Sequence, residues 1–329
     1  MNSETLPAVI PQELLPAQTS TTMPALLQAS GSAAQFAWDE FFLGHIQNDH
    51  TRTAYERAVR RFMTWAAPQI QHLTAITPGM VATFIRSIPG KAPTRKLYLA
   101  ALRQFFDVLV NRHAMILNPA LSVKGERYAV ADGEGLTPEI SVEQVRTLMQ
   151  SIQFKTILDY RDAAILGCLR FTGARVGAVA SLTYGAFVFD GLEYLLSFVE
   201  KGNKQRRIPV NSSLKVLILD YLKAAEGLEW KKESPLFRAS HGRTERLSNQ
   251  AVSGNDIYRM MKRRLKLAKL PPHLVPHSIR ACVVTDLLNQ GLPLEDVQTL
   301  VGHADPRTTR LYDRRNRQVT RNLVERISI

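Results

Sequence analysis

Apolar residues in this chain recur at helical spacing over most of its length, and the period shortens in one stretch near the middle. WDEFFLGHI opens the first helical block. TRTAYERAVRRFMTWAA follows, with Tyr55, Val59, Phe62 and Trp65 on one stripe. Thr77-Pro78 gives an N-cap and a first-turn proline for PGMVATFIRSI, and TRKLYLAALRQFFDVLVNRH supplies a long fourth helix. Asn118-Pro119 ends the block, and SVKGERYAVADGEGLTPEI reads as a Gly-rich polar connector. Helices resume at Ser141, whose Ser-Val-Glu-Gln start resembles a capping box. The next one, DYRDAAILGCLRFTG, is apolar enough to sit at the centre of a second core. Over residues 183–210 the runs YGAFVF, LEYLLSFVE and RRIPV predict three short strands, joined by tight turns at Asp190-Gly191 and Lys201-Gly202-Asn203-Lys204. Helical spacing returns in SSLKVLILDYLKAA, then, after an acidic-basic loop, in SNQAVSGNDIYRMMKRRLKLAKL. LLNQGLPLEDVQTL completes the set as helices joined by a turn at Gly291 and Pro293.

This pattern predicts a mainly α fold with a small antiparallel β-sheet, divided into two domains. Residues 1–33 form a flexible tail rich in Ser, Thr, Ala, Gln and Pro, with an apolar patch from Ile10 to Leu15. A helical domain follows over 34–120, a linker over 121–136 and a second domain over 137–329.

The net charge of +13 and pI of about 9.9 favour a polyanionic partner, nucleic acid or an anionic membrane surface. No apolar run approaches the ~18 residues of a membrane span, and the N-terminus lacks a secretory signal. Cys168 and Cys282 match no zinc spacing and read as reduced core residues of a cytoplasmic protein. DNA is the better partner. The tail carries −2, so the remainder carries +15. In the helical block ten Lys or Arg face five Asp or Glu, with Arg52, Arg57, Arg60, Arg61, Lys91, Arg95, Lys96 and Arg103 on polar faces. These read either as solvated helix faces or as a module that tracks DNA phosphates. Lys262, Arg263, Arg264, Lys266 and Lys269 form the densest basic run.

Candidate chemistry gathers near the C-terminus. His277 and Arg280 stand at i and i+3 on one helix face. Gly302 reads as a helix C-cap that puts His303 on the loop beyond it, and Tyr312 follows nine residues later. Two imidazoles, a guanidinium and a phenol suggest a site that grips a phosphate and attacks it with tyrosine. Arg175, after the helix-breaking Gly173, and Lys201, at a β-turn, read by themselves as ordinary surface residues.

Together these segments resemble the tyrosine recombinase (phage integrase) family, over roughly Ala34 to Ile329. FTGARVGAVASL stands where the family has TGLRxxEL and puts Arg175 at its first arginine. EKGNKQRRIPV matches the GKGNKxR turn with Lys201, Lys204 being the second lysine. His277 and Arg280 fall in the HxLR-type box, and VGHADPRTTRLYDR matches LGHxxxxTTxxYxH with His303 and Tyr312. One position departs: many members carry an acidic residue that buttresses the arginine where this chain has Ala178.

The resemblance implies an N-terminal core-binding module and a C-terminal catalytic domain. It implies site-specific cutting and rejoining of double-stranded DNA through a 3′-phosphotyrosyl intermediate, without metal or cofactor. It implies integration, excision or resolution of a mobile element by a synaptic tetramer of the protein. Arg175 and Arg280 would bind the non-bridging oxygens and His303 would donate to one of them. His277 would assist Tyr312, whose pKa is ordinarily about 10, and Lys201 would protonate the leaving 5′-hydroxyl. Val319, Leu323, Val324 and Ile327 recur at helical spacing after the tyrosine, where the family packs a segment onto a neighbouring subunit. A type IB topoisomerase shares the same chemistry, and a non-catalytic DNA-binding regulator shares the basic helices.

Overall fold

The structure, a computed structural model, describes residues 23–126, 137–200, 204–242, 244–303 and 305–310. The chain separates into two compact units, Met1–Glu134 and Gly135–Ile329. It is mostly helical with small antiparallel sheets. Among the described residues no helix is long and apolar enough to cross a membrane.

The first unit contains α1 (Ala25–Gln28), α2 (Ser32–Asp39) with a π-helical turn after it, α3 (Asp49–Ala66), α4 (Pro78–Ser87) and α5 (Ala92–Asn111). The Asn48 side chain accepts from the Thr51 amide and the Thr77 hydroxyl from the Met80 amide, so α3 and α4 begin at side-chain caps. An aromatic core fills the space between helices. Trp38 and Phe42 have ring centroids 4.4 Å apart, and Phe62 meets Phe84 edge-on at 5.1 Å.

Two findings differ from the sequence expectation. Helix begins at Ala25, within the stretch assigned to the tail, because Leu26 and Leu27 are buried in this core; residues 1–22 lie outside the described residues. Part of the assigned linker also packs on the first unit. Val123 is buried, Arg103 donates to its carbonyl and to that of Ala120, the last residue of the assigned domain, and Arg95 pairs with Glu126 at 2.7 Å. Several basic side chains are thereby committed internally. Arg60 binds Glu56 and lies over the Trp38 ring, and Arg112 binds Glu40. Arg57, Arg61, Lys91 and Lys96 are exposed.

The second unit runs through α6 (Val142–Gln150), α7 (Ile157–Thr172), α8 (Val176–Ala180), β1 (Phe187–Phe189), β2 (Tyr194–Glu200), β3 (Lys204–Pro209), α9 (Ser212–Ala224), β4 (Arg238–Ser240), β5 (Leu247–Ala251), α10 (Gly254–Leu267), α11 (Pro276–Asn289), α12 (Leu294–Val301) and α13 (Pro306–Arg310). Buried α7 is its centre. A Cβ added at Gly167 would lie 2.7 Å from Leu217 Cδ1, so the glycine lets α9 cross close above α7. β1, β2 and β3 pair antiparallel in sequence order, with Leu196 opposite Ile208 and Glu200 opposite Lys204. The second sheet differs from the sequence expectation: β4 falls in the stretch read as a loop, and most of β5 in the SNQA that opens a stretch read as helical. Its strands are short and polar and lack the apolar alternation by which a strand is recognised. Arg238 anchors it, stacked 4.4 Å from the Trp230 ring and bonded to Asn249.

Part of the densest basic run is spent inside the unit, while Lys266 and Lys269 are exposed. Asp162, fully buried on α7, accepts from Arg161 at 2.9 Å, Arg263 at 2.6 Å and Arg264 at 2.7 Å. Lys262 donates to the carbonyls of Pro272 at 2.6 Å and Leu274 at 2.7 Å. Breaking a buried charge network leaves uncompensated charge and costs about 3–5 kcal/mol, whereas an exposed pair contributes about 0–1 kcal/mol. Asp162→Asn is therefore expected to lower stability to urea by several kcal/mol, while Glu143→Ala, which removes the exposed pair with Arg146, changes little. Equal effects of the two substitutions would show that the Asp162 network does not hold the unit together.

A candidate active site at the end of helix α12

α12 stops at Gly302, whose φ of 67° is left-handed. A helix end leaves its last carbonyls without intrahelical donors, and inside a protein they must find others. Here each of them does. Gln298 O accepts the Gly302 and His303 amides at 2.9 and 3.1 Å, and Thr299 O accepts the Gly302 amide at 3.3 Å. The next three carbonyls take arginines from three other elements. Leu300 O accepts from Arg206 of β3, Val301 O from Arg280 of α11 at 2.7 Å, and Gly302 O from Arg175, the N-cap residue of α8, at 3.0 Å.

Arg280 also donates to the carbonyl of Gly173, the left-handed C-cap of α7. It thus spans two helix C-termini, each the negative pole of a macrodipole. A Cβ on Gly173 would stand 2.9 Å from Val301 Cγ1, so the absence of a side chain there lets the ends of α7 and α12 meet. Arg280 is buried. Its carbonyl acceptors are neutral, so these bonds fix the guanidinium without cancelling its charge.

His277 precedes Arg280 by nearly one turn, in a helix start set by the Ser278 hydroxyl accepting from the Val275 amide at 3.1 Å. Its side chain reaches the surface. The protein around the ring, and then the charges of Arg280 and Arg175, hold its pKa below the usual imidazole range. His303 is buried, its Nδ1 2.8 Å from Thr309 Oγ1 and its carbonyl accepting from Gln298 Nε2 at 3.0 Å. Burial, then Arg280, Arg175 and His277, pushes it down to about 4. Both histidines are therefore neutral near pH 7 in a field dominated by arginine.

The structure thus brings Arg175, His277, Arg280 and His303 together. Lys201 lies between the ends of β2 and β3, and Tyr312 two residues beyond Arg310; both fall outside the described residues. Ala178, at the usual acidic position, is buried on α8. The sequence reading missed Arg206 and the roles of Gln298 and Thr309. Thr309 carried a signal in the paired threonines after the histidine, and Arg206 in the arginine that closes the GKGNKxR pattern. Cys168 is buried, and burial, with lesser help from Asp286 and Glu139, pushes partly buried Cys282 up to about 11, so neither is a thiolate. Among the described residues no group of His, Cys, Asp and Glu is arranged to hold a metal ion.

Residues 139–318 match the phage integrase family, and residues 42–113 match the phage integrase N-terminal SAM-like domain. The chain belongs to the phage integrase family. Its members are tyrosine recombinases, enzymes that cleave and rejoin DNA. This recombinase is 28% identical to tyrosine recombinase XerD of Listeria monocytogenes serotype 4b over 279 residues, 80% of this chain and 87% of the relative. A lambda integrase dimer bound to a COC′ core site shares the fold with a TM-score of 0.65 at 16% identity, covering 90% of this chain and 98% of that one. A lambda integrase tetramer bound to a Holliday junction gives a TM-score of 0.60 at 15% identity, covering 89% and 84%.

The His303 environment sets a pH dependence. An unfolded chain protonates this histidine at about pH 6.5, whereas the folded protein does so only near 4. As pH falls through that window the unfolded state binds the extra proton, so folding stability is lost on going down from about 6.5 towards 4 and is fully present above it. Imidazole NMR is expected to show His303 still neutral at pH 5, and the urea midpoint is expected to fall less between pH 7.5 and 5.5 in His303→Asn than in the wild type. A His303 midpoint near 6.5 would overturn the assigned environment.

Proposed function

We propose that this recombinase exchanges DNA strands at defined sites through a 3′-phosphotyrosyl intermediate, in the integration, excision or resolution of a mobile element in the cytoplasm. The observation that supports this reading is the docking of Arg175 and Arg280 on successive carbonyls at the end of α12, with His303 immediately after and His277 beside them. Phosphodiester attack develops negative charge on the non-bridging oxygens, and preorganised guanidinium forks oppose it at no cost of reorganisation. Tyr312 Oη forms a bond to phosphorus as His277 assists removal of its proton. The bond to the 5′-oxygen breaks, and that oxygen takes a proton from Lys201. Neutral His303 donates from Nε2 to a phosphoryl oxygen, with Nδ1 held at Thr309. Attack by the 5′-hydroxyl of a partner strand reverses the sequence, so rejoining needs no nucleotide. The match to the N-terminal SAM-like domain supports recombination over simple relaxation. The fold shared with a tetramer on a Holliday junction supports double-stranded DNA and further copies of the chain as partners.

The site can be found by incubating full-length protein with sheared total DNA of its source, denaturing, and sequencing the 3′ ends left attached to protein. On a nicked duplex carrying that site, Tyr312→Phe is expected to bind normally and to form no SDS-resistant adduct; an adduct from the Phe variant would remove Tyr312 as nucleophile.

Lys201→Ala is expected to slow cleavage of the ordinary ester by about 10²–10⁴-fold, the usual range for a general acid. It should be largely restored when the bridging 5′-oxygen is sulphur, which leaves without a proton. Equal defects on both substrates would assign Lys201 a structural role.

A further inference from the structure

Arg206 is none of the six family positions, yet it stands where it can govern one of them. It faces Phe198 across the β2–β3 ladder, and its guanidinium lies over that ring, 5.1 Å from the centroid. The same guanidinium donates to Leu300 O, the carbonyl next to those that hold Arg280 and Arg175. Toward its base the hairpin is seated by Leu196, Phe198 and Ile208, all buried. Beyond the Phe198–Arg206 pair the described side chains, Val199 and Gln205, are exposed. The ladder then closes at Glu200 opposite Lys204, with Lys201 in the connection.

We propose that Arg206 is a positioning residue for the general acid. It ties the hairpin that carries Lys201 to the helix end that carries the phosphate-binding arginines, so both are referenced to adjacent carbonyls. A planar guanidinium suits this double contact, because it lies flat on a ring face while its edge donates to a carbonyl; a point-like ammonium can do both only without that fixed plane. Misplacement of a catalytic group by about 1 Å can cost on the order of a hundred-fold in rate. The inference rests on the reading of Lys201 as proton donor.

The test uses full-length protein and the nicked duplex described above, with oxygen or sulphur at the bridging 5′ position. Arg206→Ala is expected to cleave the oxygen substrate on the order of a hundred-fold more slowly than wild type, and to fall within about threefold of it on sulphur, since the defect lies in proton delivery. Arg206→Lys is expected to fall between. Lys201→Ala serves as the reference. If sulphur does not restore Lys201→Ala, the reading of Lys201 falls and the inference with it. If sulphur restores Lys201→Ala but leaves Arg206→Ala equally slow on both substrates, the inference alone is overturned, and Arg206 acts as a helix cap for the arginine floor. Amide hydrogen exchange on the DNA-free chain gives a second readout. Arg206→Ala should raise exchange about tenfold or more in residues 194–200 and 204–209 while α11 and α12 keep their protection. Exchange that rises equally in α11 and α12, or that does not change in the hairpin, would overturn the proposal.

Discussion

The candidate site depends on an unsatisfied helix end. Burying the C-terminus of α12 requires donors for its last carbonyls, and the chain supplies guanidinium groups from β3, α11 and the start of α8. The exchange serves both sides. The carbonyls gain charge-assisted hydrogen bonds at the negative pole of the helix. The arginines gain fixed positions in partly or fully buried surroundings, where an unanchored cation would be costly.

The arginines of the chain therefore fall into two physical groups. Those on Asp162, Glu126 and Glu40 have their charge cancelled by carboxylates and act as internal fasteners. Arg280 and Arg175 are fixed by carbonyl dipoles, and their charge still reaches His277 and His303, adding to the depression that burial causes in both. Formal net charge counts both groups alike. The carboxylate partners of the first group are already subtracted in the +13, whereas the second group is held in place by backbone.

Where the sequence was legible, periodicity or punctuation carried the message. The long helices, the three-stranded sheet, the capping box at Ser141 and the left-handed stop at Gly302 could all be read from local pattern. So could the i, i+3 relation of His277 and Arg280. What could not be read depends on contacts distant in the chain. α1 hides in a tail of disordered composition because two leucines bind a core built later. β4 and β5 are polar and short. Arg206 closes the GKGNKxR pattern, but its partner is unreadable until β3 is brought against α12, 94 residues further on. Lys262 and Arg264 read as surface charge until the carbonyls and carboxylates beneath them are known.

The acceptors in this arrangement are main-chain oxygens, and that shifts the constraint on α12 from chemistry to phase. Residue 300 contributes a carbonyl that any side chain would leave in place, so its identity is answerable to the core and not to the site. The length of the helix is a different matter. One residue inserted between Pro293 and Gly302 turns every later carbonyl by about 100°, carrying Leu300, Val301 and Gly302 away from three arginines that are themselves anchored in other elements. Such a chain would keep every reactive group and still lack the frame that gathers them.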